Sequence, residues 1–461
     1  MTYAMHQGQF DVAIGARPRA GVLRVLEALA LAYLLMISSG MFGFVDVLTF
    51  GDLYDKEAES PFAGFLWPIA YLMFAGLTVV AWRELTFVVR NNLWVLAFPV
   101  VVALSALWSK DAAATIDGTI RMGMTTLMGI YLGSRFDIQD LAKAVFLIML
   151  VAVGASVLSA LAGVGFALME DGTVRGVFHH KNTLGSRAAL LFSTSLALLI
   201  AGWRPHLAIA GLGCALFAAV VSQSATSVAL AGLCLIVLPV AVVLRARWST
   251  LVYALILLGA LVSLIAFLIV FYRINPVVEI LTALGRDLTF TGRILLWDAA
   301  FDYLSARPLL GTGFDAFWTG RLDWRILIVM EELGNILHFH NSFLEIAVTL
   351  GAAGLLAVLV TLGGYGRAAL MALRLRVDPL SVWPTIFAAV LFAVAMVEVE
   401  IFVQHKILHI LLIALGIAAA RQVQQERAVA APTPGGPAPL HHYHHVPRLP
   451  SMEAAHGHHQ A

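Results

Sequence analysis

The chain is 461 residues long, 60% hydrophobic and only 12% charged, with a net charge of +1. A soluble domain carries about 25% charged residues, so lipid must be the solvent for most of this chain, and an ordinary water-soluble fold is excluded. The near-neutral balance gives no electrostatic basis for a nucleic-acid partner. Two cysteines inside apolar runs, Cys214 and Cys234, make no disulfide framework.

Arg17, Arg19 and Arg24 precede an apolar run of about 25 residues, longer than the core of a signal peptide and without a small-residue cleavage site. It reads as a retained first span. Crossing the hydrocarbon core takes about 20 apolar residues. Candidate spans fall at 25–48, 65–82, 93–108, 117–133, 140–164, 183–202, 206–221, 225–244, 250–272, 343–364, 384–402 and 406–421. The expected fold is an all-α polytopic membrane protein with about twelve transmembrane helices. Nine spans occupy 25–272 and three occupy 342–421, with a long loop at 273–341 between them. Residues 1–24 form a cytoplasmic N-terminus, and the Pro/Gly- and His-rich tail 422–461 is expected to be disordered and cytoplasmic.

Orientation follows the basic residues. Arg83 and Arg90, Arg204, Arg245 and Arg247, then Arg367, Arg374 and Arg376 fall in loops that alternate to the cytoplasmic side, whereas the first outer loop is acidic (Asp52, Asp55, Glu57, Glu59). Both termini are then cytoplasmic. Two outer segments break the rule by being basic: Arg175-Gly-Val-Phe-His-His-Lys181, and the long loop from Tyr272 to Asn341. Basic residues on the costly side imply an anionic ligand.

The sixth span opens His179-His180-Lys181-Asn182-Thr183, with Asn182 or Thr183 suited to cap the helix. Arg187 lies about one turn inside, where an arginine needs a cavity or a partner. With Lys181, the histidines and the positive helix N-terminus it reads as an anion site. In the long loop, Thr291 to Pro308 reads as an amphipathic helix on the outer bilayer surface, with Trp297, Phe301 and Leu304 at helical spacing. Arg293 sits in its first turn, where a cation opposes the helix dipole unless an anion is present. Gly311-Thr-Gly313-Phe314 reads as a tight turn. Ser342 and Glu345 read as a capping box, which puts His340 at the outer face just before the tenth span as a candidate general base. Glu398 and Glu400, near the outer end of the eleventh span, are expected as counter-ions that orient Arg187; with His405 they would instead be the ion path of a transporter.

Outer-face cations, an interfacial base and no metal-ligand constellation together suggest a diphosphate leaving group, as polyprenyl-diphosphate-linked glycans present. In that chemistry the arginines hold the diphosphate and His340 deprotonates a sugar hydroxyl. Direct displacement inverts the anomeric carbon, with neither metal nor cofactor expected.

Phe178-His-His-Lys181-Asn182-x-Leu-Gly185, Thr291-Gly-Arg293, Gly311-Thr-Gly313-Phe314, His340-Asn341, Arg187 with Leu191, and His340 with Gly351 resemble the motifs of the O-antigen ligase/polymerase superfamily of bacterial envelopes. The resemblance implies membrane-glycosyltransferase architecture in the bacterial inner membrane. It also implies an undecaprenyl-diphosphate-linked glycan donor and metal-independent inverting transfer on the periplasmic face. By position, Arg187 and Arg293 are then the diphosphate-binding arginines and His340 the base, with His180, Lys181, Asn182, His338 and Asn341 as substrate contacts. The His-Lys-Asn form is more like the superfamily's exopolysaccharide polymerases than its ligases. Relatives often carry a basic residue near the start of the eighth span, where this chain has Ser222-Gln-Ser-Ala225. A polymerase would use a second lipid-linked repeat as acceptor, with a chain-length regulator as partner; a ligase would use lipid A-core or a protein. An ion-coupled transporter is the third reading, disfavoured by the lack of an inverted repeat or paired interrupted helices.

Overall fold

A computed structural model describes residues 21–50, 61–169, 172–222, 293–319, 326–327, 330, 337–375 and 379–430. The expected eighth and ninth spans, the early part of the long loop and most of the terminal tail lie outside these residues. Twelve α-helices are described: α1 (Gly21–Ser39), α2 (Gly43–Phe50), α3 (Pro61–Asn91), α4 (Ala97–Leu104), α5 (Ala112–Arg135), α6 (Ile138–Leu161), α7 (Lys181–Ile200), α8 (Pro205–Val221), α9 (Arg293–Ala306), α10 (Ser342–Leu375), α11 (Trp383–Val397) and α12 (Ile407–Ala430). Among the described residues the strand-like element is one isolated bridge, Leu168 to Val174.

Among the described residues, seven helices are long and apolar enough to cross a membrane, and the chain is a helical, polytopic membrane protein. Ten of the twelve expected spans fall on described helices, and three of those ten do not reach that standard. The stretch Leu93–Leu107 and α8 are short, while α5 is long enough but carries Asp117, Arg121 and Arg135 along its length. The expected first span is not one helix, because Gly40, at φ 78°, turns the chain between α1 and α2. The expected eleventh span ends early at Val397, and the segment from Glu398 to Lys406 is non-helical chain, buried at Glu398 to Phe402.

Burial separates inner helices from lipid-facing ones. α12 is buried along nearly its whole apolar length and packs against α5, α10 and α11. α7 is almost as enclosed, between α6, α8 and α11. α3 does the reverse: Phe65, Leu72 and Val79 recur every seven residues as an exposed apolar stripe, which only hydrocarbon tolerates as solvent. Without a hydrophobic drive between helices in lipid, close packing relies on small residues. Gly129 and Gly133 supply it on α5, since a Cβ at Gly133 would stand 2.5 Å from the Ala414 carbonyl oxygen of α12.

One end of the bundle is locked by ions. Arg135 pairs with Glu27 at 2.6 Å and with Glu84, and Tyr131 donates to Glu27 at 2.9 Å. Arg421 pairs with Asp137 and donates to the carbonyl oxygens of Ser134 and Phe136. These contacts tie α1, α3, α5, α6 and α12 together. The opposite end holds the residues that the motifs single out.

Candidate functional site

At that opposite end, the start of α7, the start of α10 and the segment joining α11 to α12 converge. His180, in extended conformation, caps α7: its Nδ1 accepts the N–H of Asn182 at 3.2 Å. The cap therefore lies two residues before Asn182 and three before Thr183, the positions expected from the sequence. Just before it, Gly43 lies so close that a Cβ there would meet the His179 backbone nitrogen at 2.5 Å. His179 Nε2 faces the fully buried Asp46 carboxylate at 3.4 Å. Burial pushes the His179 imidazole below its ordinary value, more strongly than Asp46 holds it up.

Arg187, 2% exposed, makes the partnered pair that an arginine inside a span demands. Its Nη1 and Nη2 donate to the two Glu400 oxygens at 2.9 and 3.3 Å, while Nε donates to the Ser39 carbonyl at 2.8 Å. Lys406 Nζ stands 3.8 Å from the same carboxylate and is 41% exposed. Burial opposes ionisation of Glu400, but Arg187 and Lys406 outweigh it and hold the carboxyl below its ordinary range. One expected counter-ion is thus found on Arg187. The other is not: Glu398 accepts from Asn182 Nδ2 at 2.8 Å and faces His340 Nδ1 at 3.3 Å. Glu398 thereby bridges the two candidate motifs.

His340 sits at φ 48°, a left-handed conformation that few non-glycine residues adopt. Such strain persists where surrounding bonds enforce it, often at functional sites. Its N–H donates to His338 Nδ1 at 3.2 Å, and the two rings meet edge to face at 4.3 Å. Asn341 is the cap of α10, accepting from Phe343 and Leu344 N–H at 3.0 Å and donating to the Met396 carbonyl at 3.1 Å. The capping box expected from Ser342 and Glu345 is therefore replaced. Ser342 Oγ donates to the Glu398 carbonyl and accepts the Glu400 N–H. Glu345 reaches back to the Phe339 N–H at 2.9 Å and the Trp318 indole at 2.8 Å, which anchors the end of the long loop.

α9 begins at Arg293, whose side chain lies outside the described residues. Leu296, Ala299 and Ala300 face the protein, while Phe301, of the apolar stripe expected at the bilayer surface, is 57% exposed. The helix packs through an apolar cluster that includes Phe317, Phe339 and Val348. Trp297 Nε1 donates to the Phe339 carbonyl at 2.9 Å, one residue from His340.

The Gly311 to Gly313 turn has a structural partner. α10 is interrupted at Gly351 (φ 62°, ψ −154°), a conformation essentially confined to glycine. The preceding loop splices into the break: Thr312 and Gly313 donate to the Val348 and Thr349 carbonyls, while Ala352 and Ala353 donate to the Pro308 and Leu309 carbonyls. The same loop is pinned to the corner before α5, since Trp108 Nε1 donates to the Leu310 carbonyl at 2.7 Å and Lys110 Nζ to the Phe317 carbonyl at 2.7 Å.

Sequence reasoning missed the bridging role of Glu398, the buried Asp46, and Lys406 beside the ion pair. His405, singled out only as part of a transporter's ion path, instead stacks on Trp67 at 4.0 Å and contacts the Tyr71 hydroxyl. Asp46 carried a signal, an acid inside an apolar run. The others depend on which loops meet in space.

The arrangement brings His338, His340, Asn341, His180, Lys181, Asn182 and Arg187 to one end of the bundle. It joins His340 to Asn182 through one carboxylate. Residues 210–359 match the family described as O-Antigen ligase, a segment that contains Arg293, His340 and Gly351 but not Arg187. The exopolysaccharide production protein ExoQ of Rhizobium meliloti (strain 1021) is 28% identical over 412 residues, covering 85% of this chain and 87% of that protein.

Proposed function

We propose, from the resemblance to the O-antigen ligase/polymerase superfamily that motifs, matched segment and curated relative share, that this chain is a membrane glycosyltransferase acting on lipid-linked glycans. It joins undecaprenyl-diphosphate-linked repeats into an exopolysaccharide or O-antigen at the periplasmic face of the inner membrane. The observation that carries this reading is the His340–Glu398–Asn182 bridge at one end of the bundle. With Glu398 accepting from Nδ1–H, the His340 imidazole presents Nε2 as the base toward an acceptor sugar hydroxyl. The hydroxyl oxygen attacks the anomeric carbon as its proton passes to His340. The bond to the diphosphate oxygen breaks, and undecaprenyl diphosphate leaves with the electron pair. No metal is needed to form this base.

Cations must take the charge that develops on the leaving diphosphate. Arg293 and Lys181 serve this role from the start of α9 and of α7. Arg187 reaches the site already engaged by Glu400, so a phosphate oxygen meets it by sharing or displacing that carboxylate. Lys406, half-exposed beside the pair, is the additional cation. Asn341 supports catalysis by capping α10 beneath His340, and His338 by accepting the His340 N–H.

The acceptor decides between polymerase and ligase. The relative's printed name favours exopolysaccharide synthesis, while the matched family's description favours transfer to a finished acceptor. Purified protein in EDTA, given one undecaprenyl-diphosphate repeat as its only substrate, is expected to make a ladder of longer lipid-linked products. A product formed only after lipid A-core is added makes it a ligase. No glycan transfer to either acceptor overturns the reading.

A further inference from the structure

His338, His340 and Glu398 stand close enough to share one ion. A nitrogen from each imidazole and a carboxylate oxygen all lie within 4.8 Å of one another. A zinc-class ion bonded to nitrogen and oxygen ligands tetrahedrally at about 2.0–2.2 Å sets neighbouring ligands about 3.4 Å apart. His340 Nδ1 and Glu398 Oε2 already have that spacing, at 3.3 Å. The ion would take His338 through Nε2, because its Nδ1 accepts the His340 N–H.

The frame is fixed on both sides. His340 is held at positive φ immediately before the Asn341 cap, and the Glu398 carbonyl is held by Ser342 Oγ at 2.9 Å. The His340 and Glu398 side chains are 16% and 11% exposed, so the pair is reached from solvent at an edge while most of it is dehydrated. Two imidazoles and one carboxylate suit Zn²⁺, Cu²⁺ or Ni²⁺, whereas Mg²⁺ and Ca²⁺ demand oxygen ligands.

We propose that these three side chains form a reversible binding site for a zinc-class divalent ion, and that the bound ion stops transfer by tying up the imidazole that takes the acceptor proton. The inhibition rests on the role proposed for His340; the binding does not.

The test uses the full-length chain with the seven histidines between 441 and 459 replaced by glutamine, so that the tail contributes no ligands. Titration with Zn²⁺ alone is expected to give one saturable site per chain, weakened at least tenfold in Glu398→Gln and in His338→Asn. Co²⁺ in the unsubstituted site is expected to give the intense visible bands of a tetrahedral nitrogen–oxygen set, a readout that needs no variant to fold. No saturable site, or an affinity unchanged in both folded variants, overturns the binding proposal. In the transfer assay, inhibition whose midpoint follows the measured affinity and which EDTA reverses supports the switch. Full transfer at saturating Zn²⁺ overturns it. A chain that binds Zn²⁺ but transfers no glycan faults the enzymatic reading and leaves the metal site standing.

Discussion

Two glutamates two residues apart divide the work of the site. Glu400 neutralises Arg187 in a pair nearly sealed from solvent, and Glu398 joins His340 to Asn182. Removing one partner of a buried ion pair strands the other charge, at a cost of about 3–5 kcal/mol. Glu400→Ala is therefore expected to lower thermal stability sharply, and the double change Glu400→Ala with Arg187→Met to recover much of the loss. A double variant no more stable than Glu400→Ala would contradict the pairing. Glu398→Gln keeps shape and the Asn182 contact but removes the charge facing His340. It is expected to cut transfer about tenfold or more, within the range of general-base effects, and to move the pH–rate profile to the acid-limited side while leaving the melting temperature nearly unchanged. An unshifted profile would take Glu398 out of the base's environment.

At the scale of elements, the break in α10 connects the long loop to the membrane bundle. Gly351 holds φ and ψ that other residues meet only under strain of about 1–3 kcal/mol, and a Cβ there would also run into the backbone of Leu309 and Leu310. Gly351→Ala is expected to destabilise the chain by about 2 kcal/mol or more and to expose the loop to protease. A melting curve unchanged from the parent would mean that the splice contributes nothing. The spacing of His340 to Gly351 was legible as a motif, but its reason was not, because the chain that fills the break lies some forty residues earlier. Helix positions were readable for most spans, since an apolar run is costly anywhere but in lipid. Ends were less so: caps at His180 and Asn341 depend on the local approach of the preceding chain, and Val397 ends α11 where the hydropathy continues. On α9 the face packed on the protein, with Ala299 and Ala300 buried, was not legible, because only the apolar stripe that leaves Phe301 exposed showed in the spacing.

Among the described residues, two charge clusters lie at opposite ends of the bundle. One end is an ionic lock around Arg135 and Arg421, and the other is the site. That ionisable residues stand out in an apolar chain made the membership of the site legible, with Arg187, His340 and the two glutamates singled out by their cost. Which carboxylate meets which cation was not legible, because that pairing is set by tertiary register. The site end also gives stability a pH dependence. His179 is buried with its imidazole held below the ordinary value of 6.5, so below that value the unfolded chain binds more protons than the folded one and stability falls. Glu400 is held below its ordinary range, so its contribution is full above that range and is lost only as pH falls through the lowered value. Both act in the same direction. The melting temperature in detergent is expected to drop between about pH 7 and about pH 5, with a smaller drop in His179→Gln. A flat profile in the parent chain would contradict the buried neutral imidazole.

The central claim is that His340 takes the acceptor proton in a transfer that releases undecaprenyl diphosphate. The most direct measurement is the rate of that release by purified protein in EDTA, with a lipid-linked glycan donor and acceptor, for the parent chain and for His340→Ala at matched folding. The expected result is steady release by the parent and a loss of about 10²–10⁴-fold in His340→Ala. Release by His340→Ala at the parent's rate would contradict the account and move the chemistry away from this end of the bundle.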